Sequence, residues 1–131
     1  MRIASADIGL KRIGLALCLD KKIIFPQNAI IRKNRKQASR DLQTFLDEWE
    51  IDTLIVGLPK GSSSQDEMER RIKHFISLLN LKNIEVIYQD EQYSSVEAKE
   101  LTKGVFRHKR DGKIDSIASK IILKRWLKKT R

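Results

Sequence analysis

The sequence predicts an α/β fold with a five-stranded mixed sheet and helices on both faces of the sheet. Three apolar runs with short connections open the chain, apolar residues then recur at helical spacing, and two more β-branched runs alternate with helical segments. These three observations together indicate an antiparallel unit followed by parallel additions. At 131 residues the chain has the length of one domain, so we expect residues 1–131 to form a single domain.

The first three predicted strands form an antiparallel meander. The first is a buried strand that ends at Asp7, the second covers Ile13–Leu19, and the third covers Ile23–Ile31. Short connections require successive strands to reverse direction. Because Pro26 has no backbone N–H, we expect the third strand at an edge of the sheet or at a bulge.

The rest of the chain is predicted to alternate helices with strands. Apolar residues recur at helical spacing in Ala38–Trp49 and Met68–Leu79, which predicts two amphipathic helices. Strands are predicted at Asp52–Pro59, parallel to the first strand, and at Ile84–Tyr88. A last helix is expected from about Ile114 to Lys128, with an inner face formed by Ile114, Ile117, Ala118, Ile121 and Ile122.

Two helix starts have the spacing of a capping box. They are Ser64 with Glu67, and Ser94 with Glu97, which also predicts a short helix near Ser94. The basic stretch Gly104–Gly112 has no apolar pattern and is predicted to be a loop.

The composition indicates the cellular compartment and the class of partner that we expect for this protein. The net charge of +10 favours a polyanionic partner, and nucleic acid is the first expectation. The single cysteine cannot form an internal disulfide, and no apolar run approaches membrane-spanning length. We therefore expect a soluble cytoplasmic protein with no membrane partner. His74 and His108 lack the spacing of zinc ligands.

Basic residues are concentrated in two parts of the chain. One part extends from Lys103 to Arg131. The other consists of Arg32, Lys33, Arg35, Lys36 and Arg40. A run of charges is usually a solvated surface. Two such clusters around acids that could bind metal favour contact with a phosphate backbone.

Four acids stand where strands end or a helix begins. Asp7 closes the first strand, Asp90 and Glu91 close the last strand, and Asp115 opens the final helix. If the first and last strands run side by side and parallel, their carboxyl ends meet at the edge where open α/β sheets bind ligands. Clustered carboxylates repel one another, and a divalent cation relieves that repulsion. Oxygen ligands suit Mg²⁺ or Mn²⁺, which support phosphodiester cleavage in two-ion sites.

Each acid also has a simpler explanation. Asp7 could be a turn residue that accepts bonds from nearby amides. Asp90 and Glu91 could be solvated loop acids, and Asp115 could stabilise the helix dipole. The metal-site hypothesis therefore depends on the acids as a set.

Four motifs in the same order resemble the YqgF family, which is also called RuvX. They are Asp7-Ile8-Gly9 with Arg12-Ile13-Gly14, Ile55–Pro59, Asp90–Ala98 and Gly112–Ala118. The resemblance implies a ribonuclease-H-like fold. It also implies one of the activities for which the family is considered a candidate, cleavage of precursor 16S ribosomal RNA or resolution of Holliday junctions.

The resemblance also implies a set of site residues. The family's acids correspond to Asp7, Glu91 and Asp115, and Asp90 replaces Glu91 if the strand ends one residue earlier. These four residues are the expected ligands of Mg²⁺ or Mn²⁺. Phosphate contacts are expected from Arg12, Lys60, Arg107, Lys109, Arg110 and Lys113. Gln92 stands where the family usually has an arginine, which removes one cation from the site.

These observations predict a metal-dependent nuclease that acts on structured RNA, most directly precursor ribosomal RNA, as a monomer or weak homodimer. One alternative is cleavage of branched DNA as a Holliday junction resolvase, which requires a symmetric dimer to make paired cuts. Another is a non-catalytic RNA-binding factor in ribosome assembly. An ATPase of the actin or sugar-kinase type is disfavoured, because that architecture duplicates the domain and this chain has room for one copy.

Overall fold

The computed structural model describes residues 2–20, 23–59, 65–91 and 113–130, with only the backbone described at positions 59, 65–66, 91, 113–118 and 129–130. Within these residues the elements, in chain order, are β1 (Ile3–Ile8), β2 (Arg12–Cys18), β3 (Phe25–Ile31), α1 (Arg35–Glu48), β4 (Thr53–Pro59), α2 (Gln65–Ser77), β5 (Glu85–Glu91) and α3 (Lys113–Thr130). The strands form one sheet in the order β3-β2-β1-β4-β5. The predicted α/β class with a five-stranded mixed sheet is confirmed.

The antiparallel half of the sheet follows the prediction. β1 pairs with β2 and β2 pairs with β3, both in antiparallel register. β3 lies at the edge, which confirms the expectation based on Pro26, since an edge strand has one row of amides with no strand partner. The register between β2 and β3 shifts between Ile13 and Leu15, which marks an irregularity in the ladder.

The parallel half corrects one expectation about strand order. β4 pairs parallel to β1, and β5 pairs parallel to β4. The first and last strands are therefore parallel, but β4 lies between them, so the expected side-by-side arrangement is wrong. The reason is that β2 and β4 occupy both edges of β1, and the crossover through α2 returns the chain to the open edge of β4.

Strand side chains alternate between two covered faces of the sheet. Even-numbered residues of β1, such as Ala6 and Ile8, belong to an apolar cluster that includes buried residues of α1 and α2. Ile3 belongs to a second cluster, which includes Ile122 and Leu127 of α3. We call these two surfaces the α1/α2 face and the α3 face. Helices on both faces confirm the predicted layering.

Helix α1 has well-defined ends. The Asn34 side chain accepts a hydrogen bond from the Gln37 backbone N–H at 2.7 Å, and the two residues form a capping box. The helix ends at Glu48 rather than at Trp49, because Glu50 adopts a left-handed conformation with φ of 50°. Trp49 is consequently the C-cap, outside the buried stripe.

Helix α3 covers more of the sheet than a narrow stripe. Ile121 and Ile122 are buried as predicted, and Leu123 and Leu127 are buried as well. The additional burial follows from the contacts of α3 with all five strands. None of the described helices is both long enough and apolar enough to span a bilayer.

Several sequence predictions concern residues that the structure does not describe. They are the side chains of Ile114, Ile117 and Ala118, the capping residues Ser64, Ser94 and Glu97, and the stretch 104–112.

Candidate active site at the carboxyl end of β1

Asp7 lies in a row of small and polar residues that crosses the sheet. In β2, Asp7 pairs with Gly14. On the β4 side, Ala6 pairs with Val56 in parallel register, so the next residue of β4, Gly57, lies beside Asp7. Gly57 in turn pairs with Gln89 of β5. Because both immediate neighbours of Asp7 are glycines, neither of these two residues places a side chain beside its carboxylate.

The alternation of side chains places Asp7 on the α3 face. Ile3 belongs to the α3 cluster, and Ser5, two residues further, contacts α3 directly. The Ser5 hydroxyl donates to the Ser119 backbone carbonyl at 2.7 Å and also lies 2.7 Å from the Ser119 hydroxyl. Asp7 is the next residue in this odd-numbered series, and it is half-buried.

The same alternation separates the two acids at the end of β5. Asp90 pairs with Leu58, and Leu58 belongs to the α1/α2 cluster, so Asp90 lies on the α1/α2 face. Position 91 alternates with Ile87, which packs against the α3 cluster. β5 extends to Glu91, so the strand does not end one residue early. Asp90 is therefore not brought to Asp7, whereas backbone position 91 lies on the face that Asp7 occupies.

Position 115 belongs to the first part of α3, one helical turn before Ser119. Ser119 is fully buried against Ser5. The side chain of Asp115 lies outside the description, so its carboxylate is located only by this backbone position.

The described side chains contain one acid of the expected set on the α3 face. Among those side chains, no group of three histidine, cysteine, aspartate or glutamate residues is close enough to hold a metal ion. The side chains of Glu91 and Asp115 are not among those described.

The expected phosphate-binding residues are only partly described. Arg12 is half-buried in β2, in the same alternating series as Ala16 and Cys18, which belong to the α3 cluster. It therefore shares a face with Asp7, diagonally across the β1–β2 pair. Lys113 begins α3 and is described by its backbone only. The other expected contacts, Lys60, Arg107, Lys109 and Arg110, lie outside the described residues, as does Gln92.

The chain matches a known protein family over nearly its whole length. The model of the family described as "RuvX: Holliday junction resolvase" matches residues 1–129. The chain belongs to the RuvX family. This confirms the resemblance expected from the four motifs.

Relatives of this RuvX chain match it over nearly its full length. A protein from Sulfurovum sp. (strain NBC37-1), named as a candidate pre-16S rRNA nuclease, is 68% identical over 97% of this chain and 98% of its own. A protein with the same name from Sulfurimonas denitrificans is 48% identical over 98% of both chains.

Solved structures of two resolvases share the RuvX fold. RuvC of T. thermophilus in complex with a Holliday junction substrate has a TM-score of 0.63 and 10% identity, over 99% of this chain and 96% of that one. The fowlpox virus resolvase in complex with Holliday junction DNA has a TM-score of 0.60 and 19% identity, over 99% of both chains. Both have ribonuclease-H-like folds, so the RuvX chain has this fold too.

The structure also places polar residues near Asp7 that the sequence reasoning did not select. Gln89 is 95% buried at the end of β5, level with Asp7 on the α3 face. Ser5 and Ser119 join the centre of the sheet to α3. A polar residue inside an otherwise apolar strand was the available signal for Ser5 and Gln89, because buried polar groups need hydrogen-bond partners.

Proposed function

We propose that this protein is a metal-dependent nuclease of one domain that cleaves phosphodiester bonds in structured RNA, with precursor 16S ribosomal RNA as its substrate. The substrate class rests on the names of its full-length relatives. The chemistry rests on the acids at the carboxyl ends of β1 and β5 and at the start of α3.

The observation that carries the proposal is the location of Asp7. A half-buried aspartate stands between two glycines at the carboxyl end of a central strand, and its carboxylate is on the face covered by α3. Placing a carboxylate there costs several kcal/mol unless donors or a cation compensate it. The same edge of an open α/β sheet is the usual place for a ligand.

Strand register makes Glu91 the preferred second acid. Backbone position 91 is on the face of Asp7, two strands away and two residues beyond its level. Strand spacing and rise put the two Cα atoms roughly 12 Å apart. A Cα separation of this size leaves room between the two carboxylates for a pair of ions about 4 Å apart. We therefore assign the role of metal ligand to Glu91 and not to Asp90.

The direction of α3 brings Asp115 toward the same place. Ser119 contacts Ser5, and residues later in α3 join the cluster of Ile3 and Cys18 at the amino end of β1. The helix therefore runs antiparallel to β1. Residue 115 lies one helical turn before Ser119, which is about 6 Å along the helix axis, and Asp7 lies two residues after Ser5, which is about 7 Å along the strand. Because the helix and the strand are antiparallel, both distances run in the same direction. These matched steps support a position of residue 115 above Asp7.

The three acids fit Mg²⁺ or Mn²⁺, because all of their donor atoms are carboxylate oxygens. When bound, such ions supply an activated water and stabilise the leaving oxygen. Asp7, Glu91 and Asp115 would hold the ions and orient them toward the scissile phosphate. Arg12 and Lys113 would bind neighbouring phosphates, and the same role remains a prediction for Lys60, Arg107, Lys109 and Arg110.

A second candidate function is Holliday junction resolution. The description of the family model and the DNA-bound resolvases with the same fold favour it. It would require two copies of the chain to cut opposite strands, since one domain provides one site.

The test uses the purified protein with labelled precursor 16S RNA and with a synthetic four-way DNA junction, in Mg²⁺, Mn²⁺ or EDTA. We expect metal-dependent cleavage of the RNA, and loss of cleavage with retained RNA binding in Asp7→Asn. Selective cutting of the junction would replace the proposed substrate with branched DNA.

A third outcome would point away from catalysis altogether. Salt-sensitive RNA binding without cleavage in either metal, and unchanged in Asp7→Asn, would identify a non-catalytic assembly factor.

A further inference from the structure

A second candidate site lies on the α1/α2 face, behind the turn that follows Asp7. A cavity of about 280 Å³ is formed there by the β1–β2 turn, the segment entering α1, and one side of α2. Its base is apolar and contains Ile8 and Phe75, which belong to the α1/α2 cluster. Its remaining wall includes three arginines, Arg32, Arg35 and Arg71.

The positive charge of this cavity is poorly compensated. Within the described part of the chain, neither Arg32 nor Arg35 forms an ion pair with a carboxylate. Arg35 lies 3.3 Å from the ring nitrogen of His74, which brings no negative charge. Arg71 pairs with Glu67 at 2.6 Å, but both side chains are more than half exposed, and such pairs contribute little.

Arg32 is held in place by contacts that leave its charge available. Its guanidinium donates to the Gly9 carbonyl at 2.6 Å and lies 4.9 Å from the centre of the Phe75 ring. A guanidinium has five N–H donors, and this hydrogen bond occupies one of them. Burial, with the charge of Arg35 as a second cause, lowers the pKa of Arg32.

This arrangement is typical of an anion site. Guanidinium groups gathered in one cavity repel one another, and a bound phosphate removes that repulsion while accepting several hydrogen bonds. The cavity volume exceeds that of several water molecules, so it can admit a phosphate group. The hydrogen bond to Gly9 and the contact with the Phe75 ring keep the guanidinium of Arg32 ordered before a ligand arrives.

We infer that the cavity lined by Arg32, Arg35 and Arg71 binds a backbone phosphate of the nucleic-acid substrate, outside the cleavage site. This inference rests on the proposed function for the identity of the anion. The strand β1 ends at Ile8, with Asp7 on one side of this residue and Gly9 on the other. The Gly9 carbonyl accepts the hydrogen bond from Arg32, so the cavity begins two residues after Asp7. A strand leaving the cleavage site over the β1–β2 turn therefore meets this cavity next, on the opposite face of the sheet.

The test measures RNA binding without cleavage. Wild-type protein, Arg35→Gln, Arg71→Gln and the double variant are titrated in EDTA against a fluorescein-labelled RNA hairpin that has a single-stranded extension. Arg70→Gln is the matched control, because it removes the same charge from the neighbouring residue of α2 and does not line the cavity. For the double variant, the control is Arg70→Gln combined with Lys82→Gln, which removes the same net charge.

We expect affinity to fall about tenfold for each cavity arginine that is removed. The slope of log K against log salt should fall by about 0.7 to 0.9 for each lost phosphate contact. The charge-matched controls should change both quantities much less. Thermal unfolding monitored by circular dichroism verifies that each variant is folded, and Arg35→Glu gives a stronger version of the same contrast.

The inference is overturned if the cavity variants and the charge-matched controls lose the same affinity, since only net charge would then matter. A protein that cleaves RNA but shows this equality keeps the proposed function and loses the second site. A protein that shows the contrast but never cleaves keeps the second site and loses the nuclease assignment.

Discussion

The two faces of the sheet differ most at the carboxyl ends of its parallel strands. On the α1/α2 face, β1 and β4 remain apolar to their ends, with Ala6 and Ile8 in one strand and Val56 and Leu58 in the other. On the α3 face, the apolar cluster stops with Ile55, one pleat before Gly57 in the same strand.

This difference separates stability from chemistry within one sheet. A continuous apolar surface stabilises the fold in proportion to the area that it buries. A surface that changes from apolar to polar stabilises less, but it provides hydrogen-bonding groups and space at a strand end. The comparison predicts that mutations on the two faces will have different consequences even when the residues are close together.

The largest expected effect is on catalysis. Asp7→Asn should reduce cleavage more than about a hundredfold, because even residues outside the ligand shell of a metal change activity by ten- to a hundredfold. Asp90→Asn is the matched control at the same end of the sheet on the opposite face. Single-turnover cleavage of the precursor RNA measures both. Equal losses in the two variants would mean that the faces do not divide the chemistry.

The next effect is on stability. Leu54 is fully buried in the α1/α2 cluster, so Leu54→Ala should lower the free energy of unfolding by about 2–5 kcal/mol. Leu78→Ala, at a residue that is 46% exposed, should cost much less. Urea unfolding gives both values, and cleavage per folded molecule should be unchanged in each. A specific loss of activity in folded Leu54→Ala would contradict a purely structural role of Leu54.

The turn between the two faces should show an intermediate effect. A Cβ at Gly9 would lie 2.7 Å from the Arg12 backbone carbonyl, the same oxygen that accepts the Gly9 N–H at 2.9 Å. Gly9→Ala should therefore cost about 1–3 kcal/mol of stability, because backbone must move to admit the methyl group. The control is Leu10→Ala in the same turn, at a residue that is 62% exposed. If Gly9→Ala and Leu10→Ala have the same thermal stability, the turn tolerates the added methyl group.

The smallest effect concerns the attachment of α3. Ser5→Ala removes the hydrogen bonds to Ser119 and should cost about 1–2 kcal/mol, because buried polar groups lose their partner. A double-mutant cycle with Ser119→Ala measures the coupling between the two hydroxyls. The double variant should lose less stability than the sum of the single variants. Strict additivity would show that the two hydroxyls are not coupled and that the Ser5 hydrogen bond to the Ser119 backbone carbonyl alone joins the helix to the sheet here.

Most secondary structure could be predicted from the sequence, because the period of apolar residues is a local property. The strands of the meander, the edge position indicated by Pro26, the buried stripe of α1 and the burial of Ile121 and Ile122 in α3 all follow from residues within one element or from the short connections between neighbouring elements. The apolar pattern extended α1 to Trp49, one residue beyond its observed end. The cause is the positive φ of Glu50, which an apolar pattern does not reveal.

The candidate site was predicted less completely, because its geometry depends on pairs that are distant in the chain. The sequence alone could not choose between Asp90 and Glu91, since neighbouring residues of a strand point to opposite faces and the choice depends on register. It also could not show that Arg32, which precedes α1, and Arg71 of α2 line one cavity.

What the amino-acid sequence determined by itself was the order of the described helices and strands, the net positive charge and the acids available for a metal site. Tertiary structure alone decided that β4 separates β1 from β5, that Asp90 is turned away from Asp7, and that α3 packs on the face of the sheet to which Asp7 belongs. The physical reason is that periodicity and charge belong to neighbouring residues, whereas strand order and register arise when surfaces far apart in the chain are buried against each other.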